Sequence, residues 1–451
     1  MTNEPARQFA VDLAVIGTGI AGFAAAVFAA NRGLATAIAG NTGALAYTTG
    51  YLDLLGRRDG GGEAIDDPWQ AQAALSEAEP RHPLGRVPVA DIRDGFTEFT
   101  AFLGRHGLAY TAPGERNLVA LTPVGTCKRT LCVPATMASG PRALASRTPS
   151  VIVDVEGLKG FSGREFVANL GPRWPGLATR RIAFPGLPRG EVYPEVMARA
   201  LEVPATRRAF ADALREAAGG VTSVGVPAIL GMYRPDDVHG ELERLSGLTI
   251  FEIPTMPPAV PGVRLRELLE QALPRQGVTL IPQQKVTALK FDQTGAVLDL
   301  ADAYGAIRVR AAAVILATGR FLSGGLVARR DGIVEPLVDL PVTQPPSRAD
   351  WYGERYTDPR GHPVHRAGLE VDAELRPLGR DGRPHSERLF AAGVNLAHQD
   401  WIRSRSGAGI AIATARRAVA AAARLVGPVA PTVGADGQDV RRDANATPGA
   451  V

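Results

Sequence analysis

Val15-Ile16-Gly17-Thr18-Gly19-Ile20-Ala21-Gly22 constrains this chain more than any other stretch, because its glycines close an apolar run and open an alanine-rich one. The pattern predicts a buried parallel strand over residues 13–16, a tight turn at 17–19 and a helix over 20–32. Each glycine has its own task. Gly17 lets the chain turn out of the strand, Gly19 lets the backbone approach a phosphate, and Gly22 lets the helix pack close to the sheet. Helix N–H groups and the positive dipole end then face the anion, with Thr18 and Ala21 beside it. Gly33 and a second apolar run, 34–39, complete a strand–helix–strand unit and predict an α/β fold.

One part of the fingerprint is missing. An acidic residue about 20 positions past the glycines normally ends the second strand and holds an adenosine ribose. This chain offers Ala39, Gly40 and Asn41 there. Either Asn41 takes over as hydrogen-bond partner, or there is no adenosine ribose to hold.

Composition excludes several classes. A chain of 451 residues, 45% hydrophobic and 21% charged, is long enough for two or three domains sharing a large core. The net charge of +4 is small for that length, and no arginine run with interleaved aromatics offers a nucleic-acid face. Arginine dominates the positive charge: the lysines are Lys128, Lys159, Lys285 and Lys290, which reads as compositional bias. Two cysteines, Cys127 and Cys132, are too few for a disulfide framework or a cluster of four thiolates. Electrons handled by this chain must therefore leave through an organic cofactor or a partner's metal centres. The first residues lack the order of a signal peptide, and the glycine turn and Asp12 argue against reading residues 11–30 as a membrane helix. A cytoplasmic chain is expected, with any membrane contact peripheral and through a partner.

Further along, residues 42–56 are rich in Gly, Thr and Ala, and Thr48, Thr49 and Gly50 can present N–H and hydroxyl donors to a planar ring. Residues 57–80 are expected to form a surface loop. From about 142 a second alternation begins: strands at 150–155, 179–184 and 223–230, helices at 163–170 and 206–218. Residues 251–258 read as a proline-punctuated connection and 262–272 as a helix. A β-meander over 279–281, 286–291, 296–300 and 306–309 precedes an apolar strand at 312–317. The domain expectation is a nucleotide-binding unit in two parts, 8–141 and 251–425, an α/β unit inserted at 142–250, and a disordered tail at 426–451.

Two later motifs repeat the logic of the first. Ala317-Thr318-Gly319 ends the apolar strand with small residues at the edge where such sheets bind ligands. Leu389-Phe390-Ala391-Ala392-Gly393 is a strand meeting a glycine, and Gly407-Ala408-Gly409 opens a long helix whose N-terminus suits an anion or a flavin carbonyl. The three pieces occur in the order used by two-dinucleotide-binding-domain flavoproteins, which implies a Rossmann-like FAD/NAD(P)-binding fold with an inserted second α/β domain.

The run Phe321-Leu322-Ser323-Gly324-Gly325-Leu326-Val327-Ala328 narrows the resemblance. Together with Arg330-Asp331-Gly332-Ile333, Glu335-Pro336, Asp350-Trp351-Tyr352 and Thr48-Thr49-Gly50-Tyr51-Leu52-Asp53-Leu54-Leu55, it is similar to the family of B subunits of the anaerobic glycerol-3-phosphate dehydrogenase. That likeness covers most of residues 8–425. It implies a flavoprotein carrying FMN, with FAD as the alternative, paired with an FAD-bearing catalytic subunit and an iron–sulfur membrane-anchoring subunit. Together these oxidise sn-glycerol 3-phosphate to dihydroxyacetone phosphate and pass electrons to quinone. FMN fits the missing acid, since it has no adenosine.

Oxidising a secondary alcohol with a flavin needs a hydride acceptor, a base for the hydroxyl proton and cations for the substrate phosphate. Candidate bases are His362, His365 and His398, and candidate phosphate ligands are Arg403 and Arg405. A chain that binds flavin and only relays electrons, and a stand-alone FAD enzyme of the fumarate-reductase type, remain as alternatives.

Overall fold

The computed structural model describes residues 7–40, 44–58, 62–187, 190–302 and 305–427. Strand Arg7–Ile16 lies between Thr36–Gly40 and Gly305–Leu316, parallel to both. Helix Ile20–Asn31 starts from Gly19 as its N-cap and is buried along Ala21 to Ala29. It packs on both the sheet and helix Gly407–Val426, which explains why its sequence is apolar all round.

Among the described residues, seven strands form the main sheet. Beyond Thr36–Gly40 comes Thr279–Pro282, also parallel. On the other side, Gly305–Leu316 takes Ala296–Asp302 antiparallel along its first half and Leu389–Ala391 parallel along its last residues. Lys285–Phe291 closes that side, antiparallel to Ala296–Asp302. The carboxyl ends of all the parallel strands therefore share one edge, where α/β sheets bind ligands.

A second sheet is wholly parallel, in the order Leu177–Ile182, Ser150–Val155, Ser223–Pro227, Thr249–Ile253. Phe210, Leu214 and Leu242 belong to one core cluster of this sheet, and Phe166, Trp174 and Phe251 to another. A buried ion pair ties this sheet to the rest. Glu252, on strand Thr249–Ile253, accepts from Arg264 Nη1 and Nη2 at 2.7 and 2.8 Å, from Thr136 Oγ1 at 2.6 Å and from the Leu230 N–H at 2.7 Å. Arg264 sits in helix Val260–Arg275 and also donates from Nε to the Gly231 carbonyl.

Several expectations change. Residues 279–281 leave the meander and join the parallel strands, because they pair with Thr36–Gly40. The strands expected at 306–309 and 312–317 are one strand, Gly305–Leu316: no turn residue interrupts Arg310-Ala311-Ala312, and the first strand pairs along almost its whole length. The loop expected over 57–80 contains helix Pro68–Ala78, with Pro at its first position and the Asp67 carboxylate capping the Trp69 and Gln70 N–H groups. The connection expected at 251–258 begins inside strand Thr249–Ile253. Helix Gly407–Val426 ends on Gly427, and residues 428–451, most of the expected tail, lie outside the described residues.

Candidate functional site

The glycine turn is built by close approaches. Gly17 has φ +123°, and a Cβ there would lie 2.1 Å from the Ala317 carbonyl oxygen. A Cβ on Gly22 would lie 1.8 Å from the Gly17 oxygen, and one on Gly40 would lie 2.7 Å from Thr18 Oγ1. Three backbone segments thus meet at van der Waals distance, which only glycine permits. Gly19 differs. A Cβ there would meet nothing within 4 Å, so its face is open.

That open face lies on a cavity of about 850 Å³ along the carboxyl edge of the main sheet. Gly17, Thr18, Gly19 and Ala21 line it, with Ala317 packed against Gly17 and followed in the wall by Thr318 and Gly319. Beside Gly40, which pairs with Pro282, the wall includes Gln284, Lys285, Val286 and Thr287. Thr48, Thr49, Asp53, Lys128, Arg405, Gly407 and Ala408 also line it.

The segment around Asp53 is fixed from both sides. Its carbonyl accepts the Gly409 N–H at 2.6 Å, and its carboxylate Oδ2 lies 2.6 Å from Lys128 Nζ. Lys128 stands 5.6 Å from the centre of the Tyr51 ring, whose hydroxyl donates to the Leu121 carbonyl. Burial first, and then the nearby Asp53 charge, hold the Tyr51 hydroxyl well above the usual phenol range, so it is a fixed donor.

Of the residues expected to hold a cofactor, Gly17, Thr18, Gly19, Ala21, Thr48, Thr49, Ala317, Thr318, Gly319, Gly407 and Ala408 line the cavity. Four others serve packing. Gly22 lets the helix meet the turn; Gly50 approaches Pro261 and its carbonyl accepts from the Tyr110 hydroxyl. Gly393, at φ +90°, lies against Ala21, and Gly409 lies against the backbone of Leu54. Asn41 lies outside the described residues.

None of the three histidines lines the cavity. His398 Nε2 meets the Glu370 carboxylate, which also accepts from Arg81 at 2.5 Å. Burial raises the Glu370 carboxyl, but the bonds from His398 and Arg81 outweigh it and pull it down to about 2. His362 is buried; its Nδ1 accepts the Gly353 N–H at 3.0 Å, which assigns the proton to Nε2 facing the Tyr356 carbonyl. His365 Nδ1 lies 3.1 Å from Asp400 Oδ2, and its carbonyl accepts Arg320 Nη1. Against the cost of burial, the bonds from His365 and the Arg403 N–H keep the Asp400 carboxyl below the usual range. Arg403 also stays out of the cavity, its stem against Gly361.

Two arginines do reach it, Arg320 and Arg405. Burial lowers Arg320 to about 10, opposed by Asp400, so it remains a cation at neutral pH. Asp53, Lys128, Arg320 and residues 284–287 are among the cavity residues that sequence reasoning missed. One signal was available: two of the four lysines, Lys128 and Lys285, line this one cavity.

A family model described as FAD binding domain matches residues 12–410. The B subunit of the anaerobic glycerol-3-phosphate dehydrogenase of Vibrio cholerae serotype O1 (strain ATCC 39315 / El Tor Inaba N16961) is 31% identical over 424 residues, which is 90% of this chain and 95% of that protein. The chain belongs to the FAD binding domain family and, within it, to that of these B subunits. The corresponding B subunit of Yersinia pestis is 29% identical over 415 residues, covering 90% of this chain and 96% of that protein. Among solved structures, the 3-ketosteroid-delta4-(5alpha)-dehydrogenase from Rhodococcus jostii RHA1 is similar at 14% identity and a TM-score of 0.42, covering 94% of this chain and 98% of that one. The family of B subunits is one of flavin-dependent oxidoreductases, and the cavity residues from Gly17 to Ala408 fall within the matched stretch.

Proposed function

We propose that this subunit carries FAD in the cavity on the glycine turn and takes part, with an FAD-bearing catalytic subunit and an iron–sulfur subunit, in oxidising sn-glycerol 3-phosphate to dihydroxyacetone phosphate with quinone as the final acceptor. The observation that carries the cofactor reading is a cavity of about 850 Å³ lined both by Gly40 with residues 284–287 and by Arg405, Gly407 and Ala408. FMN has no adenosine half to place against the first of these groups. The arm formed by Gly40, Gln284, Lys285, Val286 and Thr287 suits an adenosine half, so the missing acid after the second strand no longer argues for FMN.

The fit is one of chemistry as well as length. The open face of Gly19 and the N–H groups at the start of helix Ile20–Asn31 suit a pyrophosphate. Gly407 and Ala408, at the N-terminus of Gly407–Val426, bring a positive dipole end to the other arm, where a flavin ring would gain from it. When bound, the flavin supplies the hydride acceptor. This chain's residues hold it, and Arg320 and Arg405 supply positive charge along the wall.

Onward transfer falls to partners, since two cysteines cannot hold a cluster of four thiolates. No helix among the described residues is long and apolar enough to cross a membrane, so membrane contact would run through the iron–sulfur partner. In this reading residues 8–141 and 251–425 form the flavin unit and 142–250 an inserted one.

A second reading, electron relay without substrate, is favoured by one observation: His362, His365 and His398 stand outside the cavity. The purified flavin-loaded chain, mixed anaerobically with sn-glycerol 3-phosphate, separates the two. Bleaching of its flavin absorbance supports substrate oxidation here; bleaching only when the catalytic partner is added supports relay.

A further inference from the structure

We propose that Arg405 is the ligand for the phosphate group of a small phosphorylated alcohol, beside Gly407 in the cavity wall. The inference rests on the reading that this chain itself takes sn-glycerol 3-phosphate.

Several arginines elsewhere in this protein are spent on carboxylates, as in Arg264 with Glu252, Arg376 with Asp372 and Arg417 with Glu374. Arg405 lines the cavity and has no carboxylate partner among the described residues. Lys128, another cation of the wall, is already neutralised by Asp53 at 2.6 Å. Of the two arginines in the wall, Arg320 is held on the His365 and Val364 carbonyls, whereas the Arg405 guanidinium has no hydrogen-bond partner among the described residues, and the adjacent helix N-terminus adds to its charge.

The position is also built. Arg405 holds a left-handed backbone, φ +52°, one residue before the Ser406 cap. Its stem occupies space left by Gly56, where a Cβ would lie 2.8 Å from Arg405 Cβ. The Gly56 N–H reaches the Ser404 and Arg405 carbonyls at 3.0 and 3.2 Å, and the Arg57 N–H reaches Ser404 at 3.1 Å. Two segments distant in sequence are thereby stitched together with an arginine on each. Arg57 donates from Nε only to the Gly62 carbonyl, so it too has no acid to answer it among the described residues.

A planar guanidinium with no carboxylate partner, in a cavity wall, matches the oxygens of a phosphomonoester better than a neutral polyol. The flavin's own phosphates would sit at the glycine turn, which leaves the cations beside the flavin ring at Gly407 for the anion of a second molecule.

The test uses the full flavin-loaded chain and follows the flavin difference spectrum during titration with dihydroxyacetone phosphate, inorganic phosphate and glycerol. Both phosphates are expected to give saturable changes, with the sugar phosphate tighter, and glycerol none. Arg405→Met should weaken both by about 10- to 100-fold, the span of one hydrogen-bonded charge, while flavin content and reduction by dithionite stay normal. Arg405→Lys, which keeps a charge but loses the fork, should fall between, and it carries the test if the Met variant loses flavin. Wild-type affinity in Arg405→Met, or in Arg405→Lys where the Met variant loses flavin, overturns this inference and leaves the oxidation reading standing. A response to inorganic phosphate as tight as to the sugar phosphate reduces the site to a general anion site and also overturns it. No response of the wild-type chain to either phosphate overturns both.

Discussion

His82 shows how a single buried side chain sets a pH limit on this fold. Its ring is 1% exposed and its Nδ1 accepts the Leu84 N–H at 3.1 Å, capping a short helical turn. Burial, then the charges of Arg366 and His398, push it down to about 3. An unfolded chain protonates His82 near its ordinary value of about 6.5, so between about 6.5 and 3 the unfolded state binds more protons than the folded one. Stability from this group is complete above that window and falls as pH drops through it, by up to about 1.4 kcal/mol per pH unit. His82→Asn keeps an acceptor for Leu84, and urea unfolding from pH 7 to pH 4 should show a shallower loss than wild type; an unchanged slope would count against the assignment. Residue roles were unevenly legible. Gly17 and Gly22 declare themselves because backbone contact at those distances tolerates no side chain, and Gly19 because the motif places it on the open face. The fates of His365 and His398 do not, because Asp400 and Glu370 are brought to them by folding.

The decisive joint between elements is the pair of strand Thr249–Ile253 with helix Val260–Arg275. Glu252 and Arg264 side chains are 0% and 1% exposed, and each polar partner of Glu252 comes from a different segment. Glu252→Gln leaves the Arg264 charge buried and uncompensated, an expected loss of about 3–5 kcal/mol in chemical denaturation. Replacing both by a well-packed apolar pair should cost much less, and equal losses would mean the joint depends on packing alone. Periodicity announced most elements around this joint, since strands Ser150–Val155 and Ser223–Pro227 are short apolar runs flanked by turn residues. It failed at Pro68–Ala78, where the polar, Gly-rich stretch before the helix hid the Asp67-Pro68 start signal. It also split Gly305–Leu316, because a strand pairing antiparallel on one side and parallel on the other has no single alternation.

For the molecule as a whole, the fold turns the carboxyl ends of parallel strands and two helix N-termini, at Ile20 and Gly407, into a single site. The sequence motifs identified the glycine turn of that site and its wall at Gly407. They could not reveal the arm at Gln284 to Thr287, whose residues carry no motif and reach the cavity only because Thr279–Pro282 pairs beside Thr36–Gly40. Under the proposal above, that arm is what favours FAD over the expected FMN. Acid denaturation of the purified chain, with mass measurement of the released flavin, tests this most directly: FAD at one per chain is the expected result, and FMN would contradict it.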